Sequence, residues 1–297
     1  MQLIESVQEM IAWRKEYSEF SLGFVPTMGY LHGGHLSLVE RAMTENQITC
    51  VSIFVNPAQF GPAEDFKSYP RDLARDLGLL RCCSVGVIFS PHAKEMYPPD
   101  FQTYVSVQDV TRPLEGAARP GHFAGVTTIV AKLFNIVQPT RVYFGQKDAQ
   151  QVKVIEQMVR DLNYPLEIVT CPIVREPDGL AMSSRNTYLS DYEREQATVI
   201  YRSLATAKRL YEGGQRDPRT IKAAVLDVLK QEPAAEIEYV SLADNHTLQE
   251  VTRPIANGQE VLISMAVKLG QPRLIDNLIL GGTDDDGMLA EVNEGIQ

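Results

Sequence analysis

Two histidines that enclose a pair of glycines follow the first apolar run of the chain. His32 and His35 come soon after Leu22–Val25, with Gly33 and Gly34 between them. Imidazoles three residues apart share one face of a helical turn, and the amide groups of a helix N-terminus lie beside them. Because glycine also allows a ligand close to the backbone, the segment predicts a polyphosphate site with free backbone N–H groups. The glycine spacing matches neither GxGxxG nor GxxxxGK[ST], which excludes those two nucleotide-binding motifs.

Two other interpretations of His32 and His35 stay open at this point. Zinc can bind imidazoles at positions i and i+3, although no third Cys or acidic ligand lies nearby in the sequence. Two exposed histidines beside a turn, without a function, are the other alternative.

A lysine occupies a second junction of the same kind. The run Arg141–Phe144 ends in Gly145-Gln146-Lys147-Asp148, and a helix-like pattern that contains Gln151 follows. Ligands of doubly wound proteins bind at the carboxyl ends of neighbouring strands. Lys147 is therefore predicted to share a crevice with the histidines, although an ordinary surface lysine at a helix start has the same appearance.

Hydroxyl and guanidinium groups cluster later in the chain. Ser183, Ser184 and Arg185 lie within the Gly-containing segment Asp178–Asn186. Such groups can hold phosphoryl oxygens through charge-assisted hydrogen bonds. A solvated linker has a similar composition, so this segment alone does not distinguish the two.

Neutral amides end another apolar run. Asn56 and Gln59 follow Ser52–Val55, and Met28 and Phe60 are the apolar residues expected beside them. Amides that cannot ionise suit the hydroxyl groups and the carboxylate of a small, partly apolar acid. Simple capping of the strand is the alternative. A Pro- and Gly-containing stretch at residues 112–123 indicates a cover for the site.

Alternating strand and helix patterns predict the framework that positions these residues. A parallel sheet with helices on both faces, a Rossmann-like doubly wound α/β domain, is expected over residues 1–174. Its predicted strands are Leu22–Val25, Ile48–Val55, Val85–Phe89, Arg141–Phe144 and Leu166–Val174. Its predicted helices are His35–Met43, Asp72–Leu80, Val126–Val137 and Gln150–Leu162, after a first helix that Ser6 and Glu9 open with a capping box and that runs through Tyr17.

The pattern changes after residue 174, where helices precede clustered strands. This order predicts a smaller α+β domain with an antiparallel sheet over residues 175–282. Its elements are a long helix from the Ser190–Glu193 cap to about Tyr211, a helix at Ile221–Leu229, and strands at Ile237–Leu242, Val261–Val267 and Arg273–Leu280. Residues 283–297 contain acids and no base, which predicts a disordered tail.

Composition excludes several classes of partner. The 28 Lys and Arg residues against 38 Asp and Glu give a net charge of −10, which provides no basic face for nucleic acid. The apolar runs are too short to cross a bilayer. The 4 cysteines fit no disulfide or zinc pattern, so a reduced, cytoplasmic protein is expected.

The polar segments are more specific together than apart. They resemble, in order, the signature motifs of the pantoate–β-alanine ligase family, at Thr27–His35, Val51–Phe60, Leu114–Phe123, Phe144–Gln151 and Asp178–Asn186. The likeness extends to Arg273–Asn277 and so covers residues 1 to about 282. It implies the HxGH nucleotidyl-transferase superfamily, a C-terminal domain that acts as a lid, and a homodimer. It also implies that ATP with Mg²⁺ converts pantoate to pantoyl adenylate and pyrophosphate, and that β-alanine then gives pantothenate and AMP.

The resemblance implies a role for individual residues in these motifs. His35, His32 and Lys147 are the implied catalytic residues, and His35 is the one nearest the reacting centre. Gln59, Gln151 and Asn56 are implied to bind pantoate, and Gln59 also binds β-alanine. The implied ATP-binding residues are Met28, Gly29, Tyr30, Leu31, His32, Gly33, Gly34, His35, Gly145, Gln146, Lys147, Asp148, Val174, Met182, Ser183, Ser184 and Arg185. No protein ligand is implied for the metal, and Gln146 stands where the family commonly has Glu.

Three other classes of protein fit the sequence less well. A nucleotidyltransferase acting on a phosphorylated acceptor needs an extra basic side chain, whereas residues 56–60 offer neutral amides. An aminoacyl-tRNA synthetase needs a basic RNA-binding surface. A nucleotide sensor without catalysis has no need of Lys147, Gln59 and Gln151 together.

Overall fold

The computed structural model of the chain describes residues 1–62 and 64–282. Two compact units divide it, the first spanning Met1–Cys171 and the second beginning at Pro172. The predicted disordered tail at residues 283–297 lies outside the described residues. No helix in the described part of the chain has the length and apolar character that crossing a membrane requires.

A parallel six-stranded sheet forms the centre of the first unit. Its strands are β1 (Gln2–Ile4), β2 (Leu22–Thr27), β3 (Ile48–Ile53), β4 (Val87–Phe89), β5 (Arg141–Gly145) and β6 (Glu167–Cys171). Their order in space is β1-β4-β3-β2-β5-β6. The chain moves outward from β2 through β3 to β4 and then returns to the other side of β2 as β5. The switch point of the sheet therefore lies between β2 and β5, where α/β proteins bind ligands.

Helices accompany this sheet, and two apolar clusters of buried side chains hold the layers together. The helices are α1 (Val7–Glu16), α2 (Gly33–Glu45), α3 (Leu73–Cys82), α4 (Ala93–Met96), α5 (Glu115–Ala118), α6 (His122–Val137) and α7 (Ala149–Asp161). Side-chain caps begin several of them, as when Ser6 Oγ accepts from the Glu9 amide at 3.2 Å. The predicted strands and helices of residues 1–174 are present, with ends that differ by a few residues.

One strand of this sheet escaped prediction. β1 has three residues and pairs in parallel with β4 at the edge of the sheet. Such a short segment shows no periodicity, so its structure depends on the exposed edge of β4 rather than on its own sequence.

The second unit contains an antiparallel sheet with helices, as predicted. Strands β7 (Ala235–Asp244), β8 (Val261–Leu269) and β9 (Arg273–Leu280) pair in that order, with α8 (Asp191–Gln196), α9 (Thr198–Glu212) and α10 (Pro218–Leu229) before them. An apolar core joins the helices to the sheet.

The long helix predicted from Ser190 to Tyr211 is wrong in one respect, because it is two helices. They meet at Ala197, which is fully buried. There the Ile200 amide bonds to the Ala197 carbonyl, three residues back, at 3.2 Å, which tightens the turn. No Gly or Pro marks this position, so the sequence shows no break.

Candidate active site

The two histidines form a reciprocal cap at the start of α2. His32 is the N-cap residue, and its Nδ1 accepts from the Gly34 amide at 3.2 Å. His35 Nδ1 accepts in turn from the His32 amide at 3.3 Å. The ring centroids lie 4.1 Å apart. This arrangement is a capping box in which two imidazoles replace the usual hydroxyl and carboxylate.

These hydrogen bonds fix which ring nitrogen carries the proton. An Nδ1 atom that accepts from an amide is unprotonated, so each neutral ring carries its proton on Nε2. Burial, together with the nearby positive charge of Lys147, lowers the pKa of His32 to about 3 and that of His35 to about 4. Both rings are therefore neutral at pH 7, and the donor of each is its Nε2–H group.

The backbone amides of this loop are mostly engaged within the protein. The Gly29 amide donates to Thr27 Oγ1 at 3.1 Å, and those of Tyr30 and Leu31 donate to Asp76 at 2.7 and 2.8 Å. With the amides of His32 and Gly34 also engaged, the prediction of free N–H groups along this loop is wrong for these residues. Imidazole N–H groups are what the segment offers to an anion.

Lys147 follows β5, the strand that neighbours β2 at the switch point. Its charge lowers the pKa of both His32 and His35, whereas that of Asp148 raises the pKa of His32. The structure thus brings the predicted lysine and the predicted histidines together. A Cβ atom placed on Gly145, just before this turn, would meet nothing within 4 Å. The backbone there is open to a ligand.

The amides of Asn56 and Gln59 form a network whose directions are settled by the backbone. Asn56 Oδ1 accepts from the Ala58 amide at 3.3 Å and from Tyr97 Oη at 2.8 Å. Its Nδ2 donates to the Gly125 carbonyl at 3.1 Å and to Gln59 Oε1 at 2.9 Å. Because backbone N–H only donates and C=O only accepts, neither amide can be turned around without losing bonds.

This network separates the roles of the two amides. Asn56 is 1% exposed, and both its oxygen and its nitrogen are occupied, so its geometry favours holding Gln59 over touching a substrate. Gln59 keeps its Nε2 group directed at the sulfur of Met28, 3.3 Å away. A thioether is a weak acceptor, so an oxygen of a ligand can replace it readily.

The stretch at residues 112–123, predicted as a cover, contacts the backbone of Gln59. His122 Nδ1 and the Gln59 carbonyl lie 2.8 Å apart, and burial lowers the pKa of His122 to about 4. Arg119 lies 3.2 Å from His122 Nε2 and forms an ion pair with Glu64 at 2.7 Å. A Cβ on Gly125 would come within 2.1 Å of the Ala58 carbonyl oxygen, so α6 approaches this turn as closely as glycine allows. A role as a cover stays a prediction.

Two adjacent glutamines at the start of α7 have different surroundings. Gln150 is 4% exposed and bonds to the Glu115 amide and to the carbonyls of Val110 and Pro113 at 2.8 to 3.0 Å. Gln151, the residue predicted to bind pantoate, is half-buried. The sequence pattern alone does not tell these neighbours apart.

The remaining predicted residues belong to the second unit. Val174 accepts from the Met182 amide at 3.0 Å across a small hairpin, and Ser183 caps a short turn that contains Ser184 and Arg185. Arg175, the residue after Val174 on the same side of this hairpin, binds Asp276 through its guanidinium at 2.6 and 3.1 Å in a fully buried ion pair.

The described residues contain no cluster of side chains that could coordinate a magnesium ion by themselves. In the described residues no group of three or more His, Cys, Asp or Glu side chains could hold a metal. Mg²⁺ commonly binds through substrate phosphates and water with one or two carboxylates. The residues present therefore fit a Mg²⁺ ion that arrives on a triphosphate, and they do not fit the zinc alternative for the two histidines.

The doubly wound parallel sheet, with its switch point between β2 and β5, defines the class of α/β proteins to which this chain belongs. Comparison with known proteins narrows the class. The family model for pantoate–β-alanine ligase matches residues 2–279. The pantothenate synthetase of Herpetosiphon aurantiacus is 54% identical over 280 residues, which cover 94% of this chain and 100% of that protein. That of Thermotoga neapolitana is 53% identical over 283 residues, 95% of this chain and 100% of the relative.

Solved structures give the same result. The crystal structure of pantothenate synthetase from Thermus thermophilus matches with a TM-score of 0.88 and 46% identity over 94% of this chain and 99% of that one. The pantoate–β-alanine ligase from Francisella tularensis, complexed with beta-gamma ATP and β-alanine, matches with a TM-score of 0.77 and 33% identity over 95% and 98%. The chain belongs to the pantoate–β-alanine ligase family, which confirms the resemblance, and it is an enzyme.

Proposed function

We propose that this chain joins pantoate to β-alanine in two steps, with ATP as the source of energy and pantoyl adenylate as the intermediate. The observation that carries the proposal is the meeting of Lys147 with the neutral pair His32 and His35 at the switch point of the sheet. That set of donors suits a polyphosphate. The Gln59 amide, held nearby in the same unit, suits the oxygen atoms of a hydroxy acid.

In the first step a carboxylate oxygen of pantoate attacks the α-phosphorus of ATP, and pyrophosphate leaves. Transfer of this kind needs positioning and stabilisation of negative charge more than covalent help from the protein. Lys147 provides a positive charge, and the Nε2–H groups of His32 and His35 provide hydrogen bonds. Their pKa values keep these rings as N–H donors across the neutral range.

In the second step the neutral amine of β-alanine attacks the acyl carbon of pantoyl adenylate. The C–O bond to phosphate breaks, AMP leaves with the bonding electrons, and the amine loses a proton as the amide forms. No side chain of the protein becomes acylated. Because the mixed anhydride reacts with water, a cover that excludes solvent is expected, and we assign this role to the second unit.

Substrate contacts follow the same division. Gln59 and Gln151 bind pantoate, Gln59 also contacts β-alanine, and Asn56 acts through Gln59. The nucleotide is bound by the HxGH loop, by the backbone around Gly145, and by residues of the second unit, Val174, Met182, Ser183, Ser184 and Arg185. Mg²⁺ would arrive with ATP and neutralise part of the phosphate charge. The homodimer stays a prediction.

Pyrophosphate exchange tests this proposal directly. With Mg-ATP and pantoate alone, the enzyme should incorporate labelled pyrophosphate into ATP, because the first step needs no amine. β-Alanine should then release AMP. With β-alanine in place of pantoate there should be no exchange.

Each rival predicts a different result. Exchange that required both acids would exclude a free adenylate, and ADP as product would indicate an acyl phosphate. A product that retained the nucleotide would indicate a nucleotidyltransferase. Binding of ATP without turnover under any of these conditions would indicate a sensor.

A further inference from the structure

Asp76 is a buried carboxylate that the sequence patterns did not single out. It lies in the first part of α3 and is 1% exposed. Its Oδ2 accepts from the Tyr30 amide at 2.7 Å, and its Oδ1 accepts from the Leu31 amide at 2.8 Å. Arg75 Nη1 lies 3.4 Å from Oδ1. A carboxylate taken out of water in this way is costly unless hydrogen bonds satisfy it, and here both oxygens are engaged.

The backbone that Asp76 contacts has an unfavourable conformation. Gly29 has a φ of +83°, and Tyr30, which is not glycine, has a φ of +51°. Holding a residue with a side chain in this region is unfavourable, and such a conformation persists only where its surroundings impose it. Successive amides in such turns converge to form a concavity that binds anions. In this protein the anion in the concavity is the carboxylate of Asp76.

The turn at Gly29 has no room for a side chain on the side that faces Asp76. A Cβ atom on Gly29 would lie 3.1 Å from Asp76 Oδ2 and 3.0 Å from a methyl carbon of Ile53. The loop therefore rests directly on the carboxylate. The next residue after the two anchored amides is His32, whose amide bonds to His35. One peptide link therefore joins the anchored Leu31 to His32, and one hydrogen bond joins the His32 amide to the ring of His35.

We propose that Asp76 is a positioning residue for the nucleotide. It fixes the loop before α2, and this loop fixes where His32 and His35 offer their N–H groups to the phosphates of ATP. Asp76 itself does not touch the nucleotide. This inference rests on the proposed function, because it takes ATP to be the ligand of the two imidazoles.

The test compares two variants that each convert one aspartate of the same region to asparagine. Asp76→Asn keeps the size of the side chain but retains one acceptor oxygen for two amides. Asp72→Asn changes the same charge at the exposed N-cap of α3, where its Oδ1 accepts from the Arg75 amide at 3.0 Å and asparagine caps equally well.

Hydrogen exchange in the full-length protein without ligand is the first measurement. In Asp76→Asn the amides of Tyr30 and Leu31 should exchange at least about tenfold faster, the scale for losing one hydrogen bond to a charged group. The strands of the second unit should be unaffected, and Asp72→Asn should match the wild type. Unchanged exchange at these two amides would overturn the anchor.

Ligand binding and turnover are the second measurement. For Asp76→Asn, the KM for ATP should rise and pyrophosphate exchange should fall, each about tenfold or more, while the affinity for pantoate stays within about twofold. Faster amide exchange with an unchanged KM for ATP would overturn the link to the nucleotide. A greater requirement for Mg²⁺ with unchanged amide exchange would make Asp76 a metal ligand instead.

Gly29→Ala keeps the proposal testable if Asp76→Asn does not fold. Its methyl group pushes the same loop off an intact carboxylate, so weaker ATP binding with normal pantoate binding is again expected. Normal ATP binding in this variant would contradict the proposal. Failure of the proposed function looks different, because the wild type itself would then neither bind ATP nor exchange pyrophosphate, whatever the amides showed.

Discussion

Two clusters of polar side chains in the first unit are built in the same way but differ in charge. The imidazole cluster consists of His32, His35 and Lys147, and the amide cluster consists of Asn56, Gln59, Tyr97 and His122. In both, histidine is neutral because burial lowers its pKa. In both, hydrogen bonds within the protein fix the polar side chains. The difference in charge between the clusters therefore comes from Lys147.

Under the proposed function, this difference in charge would let one unit receive two unlike substrates. A triphosphate carries high negative charge, and a cation beside N–H donors attracts it. A hydroxy acid needs its oxygens placed, and neutral donors with fixed directions are sufficient for that. In both clusters, hydrogen bonds within the protein hold the side chains in place. We therefore expect the charge of Lys147, more than the shape of either cluster, to decide which substrate each one binds.

Removal of Lys147 should have the largest effect, because it makes the imidazole cluster as neutral as the amide cluster. Lys147→Ala should lower pyrophosphate exchange by roughly 10²-fold or more, the scale for losing one preorganised group that stabilises charge. Pantoate affinity should change little.

The matched control is Lys153→Ala in α7, the helix that begins two residues after Lys147. Lys153 forms an ion pair with Glu156 at 3.1 Å. Loss of this pair should cost at most about 1 kcal/mol of stability and no activity. Circular dichroism should show both variants folded. A folded Lys147→Ala enzyme with near wild-type exchange would remove the proposed distinction between the clusters.

Alanine in the amide cluster should have a smaller and more selective effect. Gln59→Ala and Gln151→Ala should each weaken pantoate binding by about 0.5 to 1.5 kcal/mol, the net value of a neutral hydrogen bond. ATP affinity should barely change, and calorimetry with each ligand measures both. Gln157→Ala, on the outer part of α7, is the matched control and should alter neither.

Asn56→Ala tests whether Asn56 acts by holding Gln59 in place rather than by contacting pantoate itself. It should weaken pantoate binding as Gln59→Ala does, and it should also lower the free energy of unfolding by about 1 to 3 kcal/mol, because the Gly125 carbonyl loses its donor. Tyr97→Phe leaves the bond to Gln59 in place and should affect pantoate binding less. Weaker ATP binding with normal pantoate binding in these variants would reverse the assignment.

Sequence patterns predicted the polar side chains at the ends of the strands better than the residues that hold these side chains in place. His32, Lys147 and Gln59 end apolar runs, and a parallel sheet brings such ends to one edge. Asn56 is part of the predicted site, but its burial and full set of bonds depend on Tyr97 and α6, which are distant in sequence. No local pattern contains that information.

Asp76 did leave a signal that the patterns could have used. Leu77 and Leu80 lie on the apolar face of α3, and the buried Asp76 occupies a position on that face. A charged residue on the buried face of a helix requires a partner. The partner is the backbone of a loop 45 residues earlier, which the sequence does not reveal. Tertiary packing likewise determines β1 and the break at Ala197.

Acidification should have the smallest effect on activity, because the histidines of both clusters are already neutral. An unperturbed histidine gains a proton near pH 6.5, whereas the pKa values of His32 and His35 are about 3 and about 4. Nitrogen-15 NMR of labelled histidine, assigned with His32→Asn and His35→Asn, should show an unprotonated Nδ1 and a protonated Nε2 for both rings from pH 7.5 to 5.

The lowered pKa values of the two histidines should also make the free energy of unfolding depend on pH. The unfolded chain binds protons below pH 6.5 and the folded rings do not until about pH 4, so the free energy of unfolding should fall as the pH falls through that window. His35→Asn should lose less stability than the wild type over the same range. Titration of either ring near pH 6.5 would show that a protonated histidine adds its charge to that of Lys147 in the imidazole cluster. The difference in charge between the two clusters would then depend on pH.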